Sequence, residues 1–170
     1  SPTNVILTLT NDATLVWQWQ TNYWLDTTAS AGGWVQLPDQ WVVAQSAVAI
    51  TGVVWNHHHF SHWTGETNGC DIAGNVITAI MTQARSIGAV FEIDQKSLTV
   101  ISAYDGTYPG PITADYGTLM EQWVTNSPVA GGIGTQYVCT AAQVTGNDFT
   151  QVSPTNVILT LTNDATLVWQ

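Results

Sequence analysis

One stretch of this chain occurs twice, and it limits what the rest can be. Residues 1–18 read SPTNVILTLTNDATLVWQ, and residues 153–170 repeat them without a difference. The copies begin 153 − 1 = 152 positions apart, so the 170 residues amount to one 152-residue period plus the first 18 residues of the next. A fixed period marks an array and has to be recognised before any fold is assigned. Two arrangements follow. Either the chain is a window on a long tandem-repeat polypeptide, or the segment is a strand element that one subunit lends to the next.

The repeated segment itself predicts a β-hairpin. In its first arm Val5, Leu7 and Leu9 alternate with Ile6, Thr8 and Thr10, a period of two rich in β-branched residues. Asn11-Asp12 supplies turn chemistry, because both side chains bond locally to the backbone and tolerate left-handed geometry. The second arm places Ala13, Leu15, Trp17 and Trp19 on one face. A lone two-stranded hairpin is marginal in water. Whichever copy lacks a sheet in its own chain therefore has to find one elsewhere.

The length allows one or two domains with a real core. Charged residues are only 8%, and Arg85 and Lys96 are the only basic side chains against twelve acids, for a net charge of −10. Such a chain lacks the Lys and Arg that nucleic acid or an anionic membrane surface requires. The longest apolar run, Trp41 to Trp55, is interrupted by Gln45, Ser46 and Thr51 and is too short to span a bilayer. No leader opens at Ser1, so the expectation is a mature or internal stretch of a secreted or cell-surface protein. No asparagine lies in an N-glycosylation acceptor, whereas O-linked glycan on the Thr-rich strands remains compatible with the sequence.

Within the period a second, weaker repeat is visible. MTQARSIGAVF (81–91) aligns without a gap on LTNDATLVWQ (161–170): Met81 matches Leu161 and Ile87 matches Leu167. Phe91 then falls where Trp19 of the next period would stand. HHFSHW (58–63) lies on YVCTAA (137–142), and YWLDTTASAGG (23–33) is similar to SLTVISAYDG (97–106). The expected organisation is a hairpin copy at 1–18 belonging to the preceding repeat, module A at 19–95 and module B at 96–170. Each module would open with a strand (23–28; 98–103), pass a Gly-rich turn (Gly32-Gly33; Gly106 to Gly110), and continue through an apolar strand (42–54; 119–124). An aromatic strand, a Gly-Asn loop and the closing hairpin would follow. TLMEQWV (118–124) is the only stretch with any helical period, so the fold class is all-β or nearly so.

The run FSHWTGETNGCDIAGNVITAIMTQARSIGAVF resembles the divergent internalin-type B-repeat of bacterial secreted and surface proteins. Phe60, Trp63 and Gly65 carry its aromatic–x–x–Trp–x–Gly part, and Met81, Ile87 and Phe91 its closing apolar part. In module B, Ala142 stands in place of the Trp and Cys139 in place of the Phe. The resemblance implies small β-grasp-like or β-sandwich-like modules in tandem that act as spacers or interaction units.

All four histidines lie in NHHHFSH (56–62). Strand alternation puts His57 and His59 on one side and His62 on the other, so His57, His59 and His62 are weak metal candidates, and the better reading is a polar, half-exposed strand without a metal or other cofactor. Nine tryptophans invite a sugar-stacking reading, with Trp24, Trp34 and Trp41 the least explained by core spacing. No GxSxG, HExxH or phosphate-cradling glycine loop is present, and Glu92 with Asp94 beside Lys96 is the only close carboxylate pair, so no catalytic residues are assigned and the chain is not expected to be an enzyme. Cys70 and Cys139, in different modules, are a candidate disulfide that would be worth about 4 kcal/mol on the chain-entropy model.

The functional expectation is a structural subunit of an extracellular fibre or surface array, joined head to tail to identical neighbours. Val5, Leu7, Leu9, Leu15 and Trp17 would make the contact at one end, and Val157, Leu159, Leu161, Leu167 and Trp169 at the other. The alternative is an adhesive or glycan-binding surface module.

Overall fold

The computed structural model describes residues 4–104, 107, 108 and 110–170; the start of the expected turn at Gly106 lies outside them. Every regular element among the described residues is a strand. TLMEQWV is one of them, because alternation places Met120 and Gln122 inward, and those two side chains are buried.

Eight strands occupy the first half: β1 (Asn22–Ala29), β2 (Gly33–Val35), β3 (Gln40–Val43), β4 (Ala47–Val54), β5 (His58–Gly65), β6 (Asp71–Ala73), β7 (Val76–Ile80) and β8 (Arg85–Ile93). They form two four-stranded sheets, ordered β3-β1-β8-β5 and β2-β4-β7-β6. The apolar run expected as one strand from 42 to 54 is split between these sheets. Gln45, at φ 69°, turns the chain there and donates its N–H to the Met81 carbonyl.

The second half holds β9 (Gln95–Ile101), β10 (Thr107–Tyr108), β11 (Ile112–Asp115), β12 (Thr118–Val124), β13 (Val129–Ala130), β14 (Gln136–Tyr137), β15 (Ala142–Thr145), β16 (Phe149–Ser153), β17 (Asn156–Leu161) and β18 (Ala165–Trp169). Its main sheets are ordered β11-β9-β18-β15 and β10-β12-β17-β16, with β13-β14 a separate two-stranded ribbon. Strand for strand, the order is that of the first half. Each half also has a single parallel pair in the same place, β1 with β8 and β9 with β18.

Inward rows from the two sheets of each half meet in one apolar cluster, the arrangement of a sandwich. Leu25, Ile50, Trp63, Ile77, Met81, Ile87 and Phe91 build the first, and Leu98, Met120, Val157, Leu159, Leu161, Leu167 and Trp169 build the second. The first contains every residue that carries the B-repeat resemblance apart from Gly65, with Phe60 half-buried against it. Gly65 is at φ 87°, where an added Cβ would collide with the Ser86 carbonyl.

The departure at Ala142 has a packing explanation. In the first half the cross-strand pair is Trp63 on β5 with Ala89 on β8; in the second it is Ala142 on β15 with Trp169 on β18. The indole has moved to the facing strand, so the summed volume of the pair is kept, which is the kind of exchange a close-packed core tolerates best.

One expectation is overturned. The repeated segment is not a hairpin in either copy. In the second copy β17 lies between β12 and β16 of one sheet, while β18 lies between β9 and β15 of the other. The chain at 162–164 therefore arches across the core instead of turning within a sheet. Alternation gives each arm one apolar row, and those rows face each other across the interior.

Candidate assembly site

The second copy is the centre of the second half. β17 pairs with β12 from Leu161 opposite Thr118 to Asn156 opposite Trp123, and with β16 on its other side. β18 runs parallel to β9 from Ala165 opposite Leu98, and antiparallel to β15 from Trp169 opposite Ala142. One 18-residue segment thus supplies an interior strand to both sheets, and without it each sheet would be cut in two. Val157, Leu159, Leu161, Leu167 and Trp169, the contact residues expected at this end, all lie in the core.

Polar latches fix the arch. Asn147 Oδ1 accepts from the Thr162 N–H (3.0 Å), the Thr162 hydroxyl (2.7 Å) and the Asn163 N–H (3.0 Å), while its Nδ2 donates to the Asn163 carbonyl (2.7 Å). Asp164 Oδ1 accepts from the Ser97 N–H (2.8 Å) and hydroxyl (3.1 Å). The Ser97 amide, then its hydroxyl and the nearby Lys96 charge, hold the Asp164 carboxyl below its ordinary value. At the start of the segment Asn156 Nδ2 donates to Glu121 Oε1 (2.6 Å).

The first copy is in the opposite condition. Residues 4–20 form no strand, and their side chains are exposed throughout. Leu15 is 52% exposed where its counterpart Leu167 is 0%, and Trp17 is 49% exposed where Trp169 is 5%. Val5, Leu7 and Leu9 are likewise open to solvent. Identical residues are therefore core strands at one end and unpaired chain at the other. The Gln20 side chain donates to Asn22 Oδ1 (3.1 Å), and the Thr21 carbonyl accepts the Ala44 N–H just before β1 begins.

Beside the far end of β18 lies a cavity of about 110 Å³, lined among others by Ala103, Tyr104, Val124, Tyr137, Cys139 and Trp169. Tyr104 and Tyr137 stack there with ring centroids 4.4 Å apart. Burial pushes the Cys139 thiol up from its ordinary value.

The remaining candidates fall elsewhere. Cys70 and Cys139 are free thiols and pack against different core clusters, so the expected disulfide is not formed. Cys70 lies instead by Arg85, whose Nη1 donates to the Glu66 carbonyl (2.7 Å) and the Asn68 carbonyl (3.0 Å) and sits 3.6 Å from the Cys70 sulfur. The histidines do not converge. His57, at φ 62°, stacks on Tyr116 with centroids 3.6 Å apart, His59 Nδ1 lies 3.1 Å from Asp94, and His62 Nδ1 lies 3.1 Å from the Ser61 hydroxyl. Among the described residues no three His, Cys, Asp or Glu side chains gather as a metal site. Trp24 and Trp41 form an exposed edge-to-face pair across β1 and β3, with centroids 5.3 Å apart.

Fold and site together define an all-β chain that holds one copy of a repeated segment inside its own core and leaves residues 4–18 of the other copy, those that are described, outside any strand. No family model, curated protein or solved structure matches the chain.

Proposed function

We propose that the chain is a structural subunit of an extracellular fibre or surface array, in which the exposed first copy of one unit completes the second half of its neighbour. The observation that carries this reading is the contrast between the copies: strands 156–161 and 165–169 are built into the core, while the same residues at 4–9 and 13–17 belong to no strand and are exposed. Because the sequences are identical, exchanging one for the other preserves every contact those residues make. The incoming segment meets a groove already shaped for it. Strand addition satisfies backbone donors and buries alternate side chains in one step.

What opposes exchange is the tether. A covalently linked copy has an effective concentration in the millimolar range, so the closed monomer wins in dilute solution and the open form gains as concentration rises. The donor lies at one end of the chain and the acceptor groove at the other, so the contact is heterologous. Heterologous contacts that do not close into a ring extend into filaments. If the period continues within one polypeptide, the same residues join consecutive periods covalently. The sparse charge, the Thr-rich strands and the B-repeat resemblance favour a secreted or surface location and a spacer role.

The test uses positions that do not touch the monomer core. Leu7→Asp with Leu9→Asp should leave melting and circular dichroism unchanged and abolish concentration-dependent filaments in electron microscopy. Wild-type chain that stays monodisperse at every concentration overturns the reading. The exposed Trp24–Trp41 pair supports a second reading, a glycan-binding surface module, because indole faces stack on sugar rings. Oligosaccharide titration followed by tryptophan fluorescence tests it: a saturable change lost in Trp41→Ala supports binding, and no change removes it.

A further inference from the structure

The two halves of the chain meet at a joint built from one loop and one turn. Only Asp94 separates β8 from β9. Its N–H donates to the His57 carbonyl of the first half, and its carbonyl accepts the Tyr116 N–H of the second, both at 2.8 Å. The His57 ring lies flat on the Tyr116 ring, with centroids 3.6 Å apart. The loop at 55–57 thus covers the turn at 116–117.

Backbone pairing finds both parts again at the far end of each half. The Ala44 N–H donates to the Thr21 carbonyl as Tyr116 does to Asp94, and the following N–H, of Gln45 or Gly117, donates to Met81 or Leu161. Ala44 is therefore the counterpart of Tyr116. Val43, opposite Asn22, is that of Asp115, opposite Gln95. The loop is located in the same way. Gly52 corresponds to Val124, since their N–H groups donate to Asn75 and Thr155, and Trp63 corresponds to Ala142, since they face Ala89 and Trp169. The spans are 63 − 52 = 11 and 142 − 124 = 18 positions, so the second half has seven extra residues where the first has the His57 loop. They build the ribbon β13-β14, whose glycine-rich tip holds Ile133 fully exposed. Bulk has changed sides: tyrosine under a short loop at the joint, alanine and a longer, apolar-tipped ribbon at the far ends.

Strand exchange brings those two far ends together. A donated copy seated at positions 153–170 of a neighbour reaches Gln18, and β1 of the donor begins at Asn22. Four residue steps span at most about 14 Å, so the donor's first half stands beside the Gln170 position of the acceptor. Tyr137, at the base of the ribbon, lines the same cavity as Gln170, which puts the ribbon there as well. We propose that the β13-β14 ribbon docks on the first half of a second copy of this chain and covers its Val43–Ser46 turn. This rests on the strand-exchange reading above and deepens it, adding an interface made by residues outside the repeated segment. Ile133 meets Val43 and Ala44, an apolar pair where the joint has Asp115 and Tyr116. Covering that pair removes apolar surface from water and sets the angle between units, as the His57 loop does between halves.

Cross-linking between two kinds of full chain tests the contact directly. Both carry Cys70→Ala and Cys139→Ala; one adds Ile133→Cys and the other Val43→Cys. They are mixed, assembled and treated with a short bismaleimide, and the products are weighed by mass spectrometry. A product holding one chain of each kind is expected on assembly and not from dilute monomer. Replacing Val43→Cys by Ile72→Cys, exposed on β6, should give none. Independently, Ile133→Asp in the otherwise unaltered chain should melt as wild type does and assemble only at a concentration raised about tenfold. Filaments without the mixed product, equal cross-linking at Ile72→Cys, or Ile133→Asp assembling at the wild-type concentration overturns the ribbon contact while strand exchange stands. If wild type does not assemble at all, both fall together.

Discussion

At Gln122 the cores of the two halves differ in polarity. This residue is buried opposite Val157, at the place where the first half has Ile50 opposite Ile77. Neither of its side-chain amide atoms finds a hydrogen-bond partner among the described residues. A buried amide without partners costs about 1–3 kcal/mol, so Gln122→Met, close in shape and apolar, should stabilise the second half by about that much. Urea unfolding should show a higher midpoint at unchanged slope. Asp164 makes the opposite case. Its folded carboxyl titrates below its ordinary 3.8, so its contribution is fully present above that value and is lost as pH falls through the lowered one. Thermal melting from pH 5 to 2 should fall more steeply in wild type than in Asp164→Asn.

At the scale of the element, the repeated segment separates what alternation specifies from what it leaves open. The inward rows Val157, Leu159, Leu161 and Ala165, Leu167, Trp169 follow the period of two that the sequence displays, and they are buried as that period requires. The same period fits a hairpin and an arch equally well. Which one forms depends on the flanking strands β12, β16, β9 and β15, of which β9 and β12 lie dozens of residues away. The Trp63–Ala89 and Ala142–Trp169 exchange is likewise not legible in an ungapped alignment, because it is a relation between facing strands. A specific test follows. Leu159→Asp should unfold the second half of an isolated chain, since it puts a charge in the core. In concentrated solution it should instead favour assembly, because the unaltered first copy of a neighbour can fill the groove. Sedimentation across a concentration series should find Leu159→Asp more assembled than wild type, whereas Leu159→Asp combined with Leu7→Asp should stay unfolded in its second half throughout.

For the whole molecule, charge and topology act together. Each unit carries a net charge of −10, so units brought together repel. Raising ionic strength from about 0.01 M to about 0.15 M shortens the screening length from about 30 Å to about 8 Å and should lower the concentration at which wild type assembles. Light scattering against salt measures this, and an assembly weakened by salt would point to ion pairing in place of apolar strand exchange. Short-range alternation and literal identity are enough to read the all-β class, the alternating rows of the repeated segment and the existence of two equivalent segments. Alignment of the two halves also places Phe91 level with Trp19. Long-range packing settles which copy lies in the core, that its arms lie in opposite sheets and that the two thiols stay apart. Identical residues at 4–18 and 156–170 fare differently because a strand is stabilised by its neighbours, and local sequence cannot say which neighbours are present.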